Sequence, residues 1–152
     1  MNCLGVRCSN SDYSIAILSG SRTSPEIIRK VCNGSPNGYK TARRLKWFLQ
    51  EFEDIFNAIE IDEIVVKGTE PMAQKGGSYA ERVENEAMIF LAAERKGITS
   101  IVKKVKATIA KEHGLKGRGK YLATLDFSVF PKFEEESEKM KEAIIAAWAC
   151  LR

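Results

Sequence analysis

The chain has 152 residues, enough for one domain and little more. Apolar residues make up 44% and charged residues 29%, an ordinary soluble composition that excludes a disordered tail, a collagen-like repeat and a small disulfide-stapled scaffold. The net charge of +4 is modest, but residues 103–120 alone carry +6, so one segment supplies the whole positive excess. Such a local basic surface attracts a polyanion whatever the total charge, although a solvated helix face is the plainer reading of the same pattern.

Residues 3–8 and 13–18 are short apolar or alternating runs around Ser9-Asn10-Ser11-Asp12, which suits two strands of a hairpin. Residues 27–32 form a third strand candidate, and Asn33-Gly34-Ser35-Pro36-Asn37-Gly38 is a strong loop signal. From 40 to 59, Leu45, Phe48, Leu49, Phe52, Ile55, Phe56 and Ile59 recur at three- and four-residue steps, predicting an amphipathic helix. Arg43, Arg44 and Lys46 fall on its polar face. Ile64-Val65-Val66 is β-branched throughout, as in a strand buried on both faces, and a glycine-rich loop over 68–77 follows.

Ser78 with Glu81 reads as a capping box that opens a helix to about Lys96. Its apolar stripe is predicted as Ala80, Val83, Ala87, Phe90 and Leu91, and Gly97 is a natural stop. A fifth strand over 98–102, a short helix over 103–111 and a glycine-spaced basic loop over 114–120 come next. Pro131 opens the last helix, acidic at first through Glu134, Glu135 and Glu136 and almost wholly apolar from Ala143 to Leu151. The aromatics Phe127, Phe130 and Phe133 complete the core beneath it. The order βββαβαβαα implies a meander followed by parallel pairing, a mixed five-stranded sheet with helices on both faces, in a single α/β domain over 1–152.

No apolar run approaches the roughly 20 residues that span a bilayer, and neither a leader nor a lipidation signal is visible, so a cytoplasmic protein without a membrane partner is expected. The four cysteines, Cys3, Cys8, Cys32 and Cys150, form no CxxC pair and read as small buried hydrophobes in a reducing compartment. The only histidine, His113, has no evident catalytic partner.

Three stretches resemble the RuvC-type branch of the ribonuclease H-like fold, the Holliday-junction resolvases and their relatives. Leu4-Gly5-Val6-Arg7-Cys8-Ser9-Asn10 resembles its opening strand and turn; Ile64 to Lys67, with the loop and helix that follow, its fourth strand; and Val102 to Ile109 its fifth strand and lysine-bearing helix. Glu142-Ala143-Ile144-Ile145-Ala146 resembles the closing helix. The resemblance implies metal-dependent phosphodiester cleavage, with carboxylates from strand one, strand four and the last helix holding two magnesium or manganese ions. In this sequence Arg7 and Lys67 stand at the first two of those positions, and only Glu142 is acidic. Like charges about 4 Å apart repel by a few kcal/mol at an intermediate dielectric, so such a site would reject a cation.

The first reading is therefore a nucleic-acid-binding pseudoenzyme, with DNA ahead of RNA. Lys103, Lys104, Lys106, Lys111, Lys116, Arg118 and Lys120 would contact phosphates, and Arg7, Lys67 and Glu142 would form an ion cluster in place of the metals. The second is an active Mg- or Mn-dependent endonuclease using displaced carboxylates, Asp12, Glu70 and Glu142. The third is a structural or regulatory protein-interaction domain. A homodimer is a further expectation; a second subunit that supplied the missing acids would favour the second reading, and a dimer that buried residues 121–133 the third.

Overall fold

A computed structural model describes residues 1–152. Five strands, β1 (Cys3–Cys8), β2 (Asp12–Gly20), β3 (Pro25–Gly34), β4 (Glu63–Lys67) and β5 (Ile101–Lys104), form one sheet in the order β3-β2-β1-β4-β5. β1, β2 and β3 pair antiparallel, whereas β1–β4 and β4–β5 are parallel. The helices are α1 (Thr41–Ala58), α2 (Ser78–Lys96), α3 (Lys106–Glu112) and α4 (Glu138–Cys150). No helix is long and apolar enough to cross a membrane.

The period-two alternation of the strands gives each sheet face its own core. Leu4, Val6 and Cys8 of β1 and Ile64 and Val66 of β4 pack under α1 and α2, against Phe48, Phe52 and Phe56. Cys3 of β1 and Val65 of β4 pack under α3 and α4, against Ala143, Ala146 and Ala147. Gly5 lets α4 cross β1 closely: a Cβ there would lie 1.9 Å from the Ala143 carbonyl oxygen and 2.6 Å from the Ala147 nitrogen. The alanine-rich sequence of α4 is the other half of that close contact.

The sheet and element order agree with the sequence, and the differences are local. α4 starts at Glu138, capped by the Ser137 hydroxyl, rather than at Pro131; Glu134 and Glu135 sit in a short 3-10 turn instead of its first turn. Lys132, at φ 57°, breaks the path between Pro131 and that turn. Ser78 is the first helical residue of α2 rather than its cap, and Gly77 precedes it without a side-chain bond. Gly97 does stop α2, in the left-handed conformation at φ 82°. The buried stripe of α2 is Asn85, Glu86, Ile89, Ala92 and Ala93, whereas Leu91 is exposed. Helical period allows either face; the need of the site below for Asn85 and Glu86 selects this one. Residues 121–130, to which the sequence assigns no element, fall largely in two 3-10 turns, Gly119–Thr124 and Phe127–Val129, the first of which begins inside the expected basic loop. Phe130 and Phe133 are buried beneath α4, with Phe127 packed against them, so the aromatics there serve the core.

Candidate functional site

In open α/β sheets, loops that leave the carboxyl ends of parallel strands gather around a common crevice. Here those ends belong to β1, β4 and β5. Arg7 and Lys67 are one residue short of the end or at the end of their strands, and both lie on the α4 side of the sheet, in register with Gly5 and Val65. The close passage of α4 over Gly5 brings Glu142 to the same place.

Arg7 Nε donates to Glu142 Oε2 at 2.6 Å, and its Nη1 also donates to the Cys8 carbonyl. Lys67 is 3% exposed; its Nζ donates to the Gly68 carbonyl at 2.6 Å and lies 3.4 Å from Glu70 Oε1. Lys106 completes the group, donating its backbone N–H to Glu70 Oε1 at 3.0 Å while its Nζ lies 3.7 Å from Glu142 Oε1. The expected cluster of Arg7, Lys67 and Glu142 is thus corrected in its pairing. Lys67 has Glu70 and not Glu142 within ion-pair distance, although the Glu142 charge still bears on its ammonium.

A second group adjoins the first. Arg82 Nη2 donates to the Lys67 carbonyl at 2.7 Å, and Arg82 Nε lies 3.7 Å from Glu86 Oε2. Glu86 is 1% exposed and also meets Lys103 Nζ at 3.1 Å. Five cations (Arg7, Lys67, Arg82, Lys103 and Lys106) therefore face three carboxylates (Glu70, Glu86 and Glu142). Burial pushes the Lys67 ammonium below its usual range, and the Glu142 and Glu70 carboxylates offset part of that. Burial and the neighbouring Arg7 charge push Arg82 the same way.

The three displaced carboxylates are not brought to one point. Asp12 opens β2, accepts from Ser9 Oγ at 2.5 Å and is held by Lys139 Nζ at 3.1 Å. Glu70 and Glu142 are held by the cations just described. The one group of metal-ligating side chains whose donor atoms lie within 4.8 Å of one another is Cys3, Glu63 and Cys150, at the opposite end of the sheet. Tested against a two-cation centre, the residues at the strand ends do not fit: two of the three positions are cationic, and Asp12, Glu70, Glu86 and Glu142 each already have a positive partner.

The basic segment divides in two. Lys103, Lys104 and Lys106 pair with Glu86, Glu112 and Glu142. Lys111, Lys116, Arg118 and Lys120 are exposed and make no ion pair. Between the segment and α4 lies a cleft of about 490 Å³, with Lys67, Lys106, Lys120 and Lys141 among its cations and Ile109 and Phe133 in its floor. His113, outside the cleft lining, packs edge-on to Trp148 at 4.9 Å, and burial pushes its imidazole below the usual range. Three cysteines are buried as expected, but Cys32 is exposed, because β3 is an edge strand open to solvent.

Sequence reasoning missed Arg82, Arg44 and Asn85. Arg44, placed by periodicity on the polar face of α1, is 7% exposed; its Nε donates to Asn85 Oδ1 at 2.9 Å and its Nη2 to Glu84 Oε2 at 3.2 Å. Asn85 Nδ2 in turn donates to the carbonyls of Ser9 at 2.9 Å and Asn10 at 3.1 Å, tying α2 to the turn after β1. The available signal was a polar pair, Asn85-Glu86, flanked by the apolar Val83 and Ile89.

No protein-family model matches the sequence, and no curated protein matches it either. Solved structures do match. Thermus thermophilus RuvC superposes with a TM-score of 0.79 at 9% identity, covering 98% of this chain and 92% of that one. The same protein in complex with a Holliday junction substrate gives 0.76 at 8% identity, with coverage of 98% and 91%. The yeast mitochondrial Holliday junction resolvase Ydc2 gives 0.64 at 12% identity, with coverage of 96% and 75%. The chain has a RuvC-like ribonuclease H fold.

Proposed function

We propose that this RuvC-like chain binds nucleic acid, DNA ahead of RNA, through cationic strand ends, and that it has lost the metal-dependent cleavage its fold relatives suggest. The observation that carries the reading is the ion pair between Arg7 and Glu142. A cation at the end of β1 occupies the one carboxylate that matches the family pattern. Arg7 would then meet phosphate directly, with the buried Lys67 adding its charge from behind, where two divalent cations would otherwise mediate the contact. The relative solved on a Holliday junction supports branched DNA as the first substrate to try.

Affinity in this reading is electrostatic and weakly sequence-selective. Lys111, Lys116, Arg118 and Lys120 are the free phosphate contacts. Four neutralised phosphates predict a slope of log K against log salt of about −3.6 on duplex DNA, against about −6.3 for all seven basic residues of the segment.

The test is incubation of the full chain with labelled single strands, duplexes and four-way junctions, in Mg²⁺, Mn²⁺ or EDTA, run on native and denaturing gels. Salt-sensitive shifts that persist in EDTA, with no cleavage, are expected. Metal-dependent cleavage would overturn the reading in favour of an active nuclease. No shift at low salt would remove nucleic acid from the account.

A further inference from the structure

Beside the charged centre lies a smaller pocket of about 150 Å³, lined by Arg7, the turn after β1 (Ser9, Asn10), the loop after β4 (Thr69) and the first turns of α2 (Ser78, Arg82). None of its nine lining residues is acidic, and two are arginines. We propose that this pocket seats a phosphoryl group, and specifically the terminal phosphate of a nucleic-acid strand.

Four observations lead there. Both guanidinium groups are largely withdrawn from water, with side-chain exposures of 18% for Arg7 and 12% for Arg82. Two desolvated cations side by side are unfavourable unless an anion lies between them. Glu142 answers Arg7, but Glu86 stands 3.7 Å from Arg82 Nε, beyond hydrogen-bond reach. Two residues of the lining carry a buried donor without a hydrogen-bond partner: the Thr69 hydroxyl, and Arg82 Nε, which faces the likewise unpartnered Glu86 Oε2 at 3.7 Å. Orphaned donors of this kind cost stability and ask for an explanation, which an acceptor-rich ligand supplies.

The wall is also built in advance. Asn85 clamps the Ser9 and Asn10 carbonyls and is itself fixed by the buried Arg44. A pocket held from behind in this way loses little freedom when the ligand enters.

Size and charge narrow the ligand. The pocket is roomy enough for a tetrahedral oxyanion. Two guanidinium groups in the lining, one of them shared with Glu142, favour an anion and a dianion over a monoanion. A terminal phosphate carries up to two charges near neutral pH, and an internal phosphodiester only one. The arginine fork suits either in geometry. The inference rests on the nucleic-acid reading for the source of the phosphate, but not for the pocket itself.

Two measurements on the full chain test it. Inorganic phosphate is titrated against chloride at matched ionic strength, followed by thermal unfolding. One oligonucleotide sequence, with a 5′-phosphate or a 5′-hydroxyl, is then titrated by fluorescence anisotropy. We expect saturable stabilisation by phosphate and about tenfold tighter binding of the phosphorylated strand, the worth of one charge-assisted hydrogen bond. Arg82→Gln should remove both effects. Because Arg82 also holds the Lys67 carbonyl, Thr69→Val serves as the second variant. It should weaken phosphate several-fold while leaving unfolding of the ligand-free chain unchanged or raised, since it deletes an unpaired hydroxyl. Equal affinity for both strands, with no phosphate response, would overturn the pocket and leave the nucleic-acid reading standing. A phosphate response that Thr69→Val and Arg82→Gln both retain would also overturn it. Phosphate binding by a chain that binds no oligonucleotide would support the pocket and remove the terminal strand as its occupant.

Discussion

The two faces of the sheet are built from the same strands and do different work. On the α1/α2 face, β1 presents Leu4, Val6 and Cys8 and β4 presents Ile64 and Val66, apolar along their whole length. On the α4 face the same strands present Cys3, Gly5 and Val65 and then end in Arg7 and Lys67. The first face mainly holds the fold, although α2 lends Arg82 and Glu86 to the charged centre. The other holds it at one end and becomes a charged site at the other, within about two residues of strand. The change from packing to chemistry therefore follows the alternation of a strand, and a one-residue slip of β1 would exchange the two faces.

The largest effect should come from Gly5, the residue that sets how close α4 lies. Gly5→Val drives a side chain into the α4 backbone and should cost about 3 kcal/mol or more in denaturant unfolding, enough to leave little folded chain. Leu4→Ala on the other face should cost about 2–5 kcal/mol yet keep the α4 site arranged, so DNA binding per folded molecule should survive.

Glu142→Gln comes next and separates a cation cluster from a metal centre. It takes the charged partner from Arg7 and Lys106, so stability should fall by about 1–3 kcal/mol. DNA affinity should stay equal or rise, because the site gains positive charge. In a metal-dependent enzyme the same change would abolish function.

Replacing Lys116, Arg118 and Lys120 together by Ala should leave stability within about 0.5 kcal/mol, since none is ion-paired. The salt slope of DNA binding should drop by about 2.7.

The smallest effect is in the pH profile. Burial lowers the His113 pKa in the folded chain, so between that value and the ordinary value of about 6.5 the unfolded chain binds more protons. Stability should therefore fall as pH drops below about 6.5, and His113→Gln should flatten that part of an unfolding titration.

What was legible in the sequence follows the reach of each interaction. The α1 stripe, the β-branched β4 and the Gly97 stop are local, and local spacing reports them. The placement of Arg7, Lys67 and Glu142 came from a resemblance of short motifs, and the coordinates bring all three to one end of the sheet. Other features depend on partners distant in sequence. The burial of Arg44 needs Asn85, and the neutralisation of Lys103 and Lys106 needs Glu86 and Glu142. Segment charge therefore overstated the free basic surface. Likewise, amphipathic period could not select the polar face of α2 that turns inward, because that face is stabilised by the turn after β1 and not by its own helix.

The central claim is that cations at the ends of β1 and β4 take the place of bound metal. Titrating Mn²⁺ with the full chain and following the free-ion signal by electron paramagnetic resonance tests it directly. The account predicts that the chain leaves the aqueous Mn²⁺ signal unchanged. Saturable loss of signal at one or two ions per chain, reversed by Glu142→Gln, would contradict it.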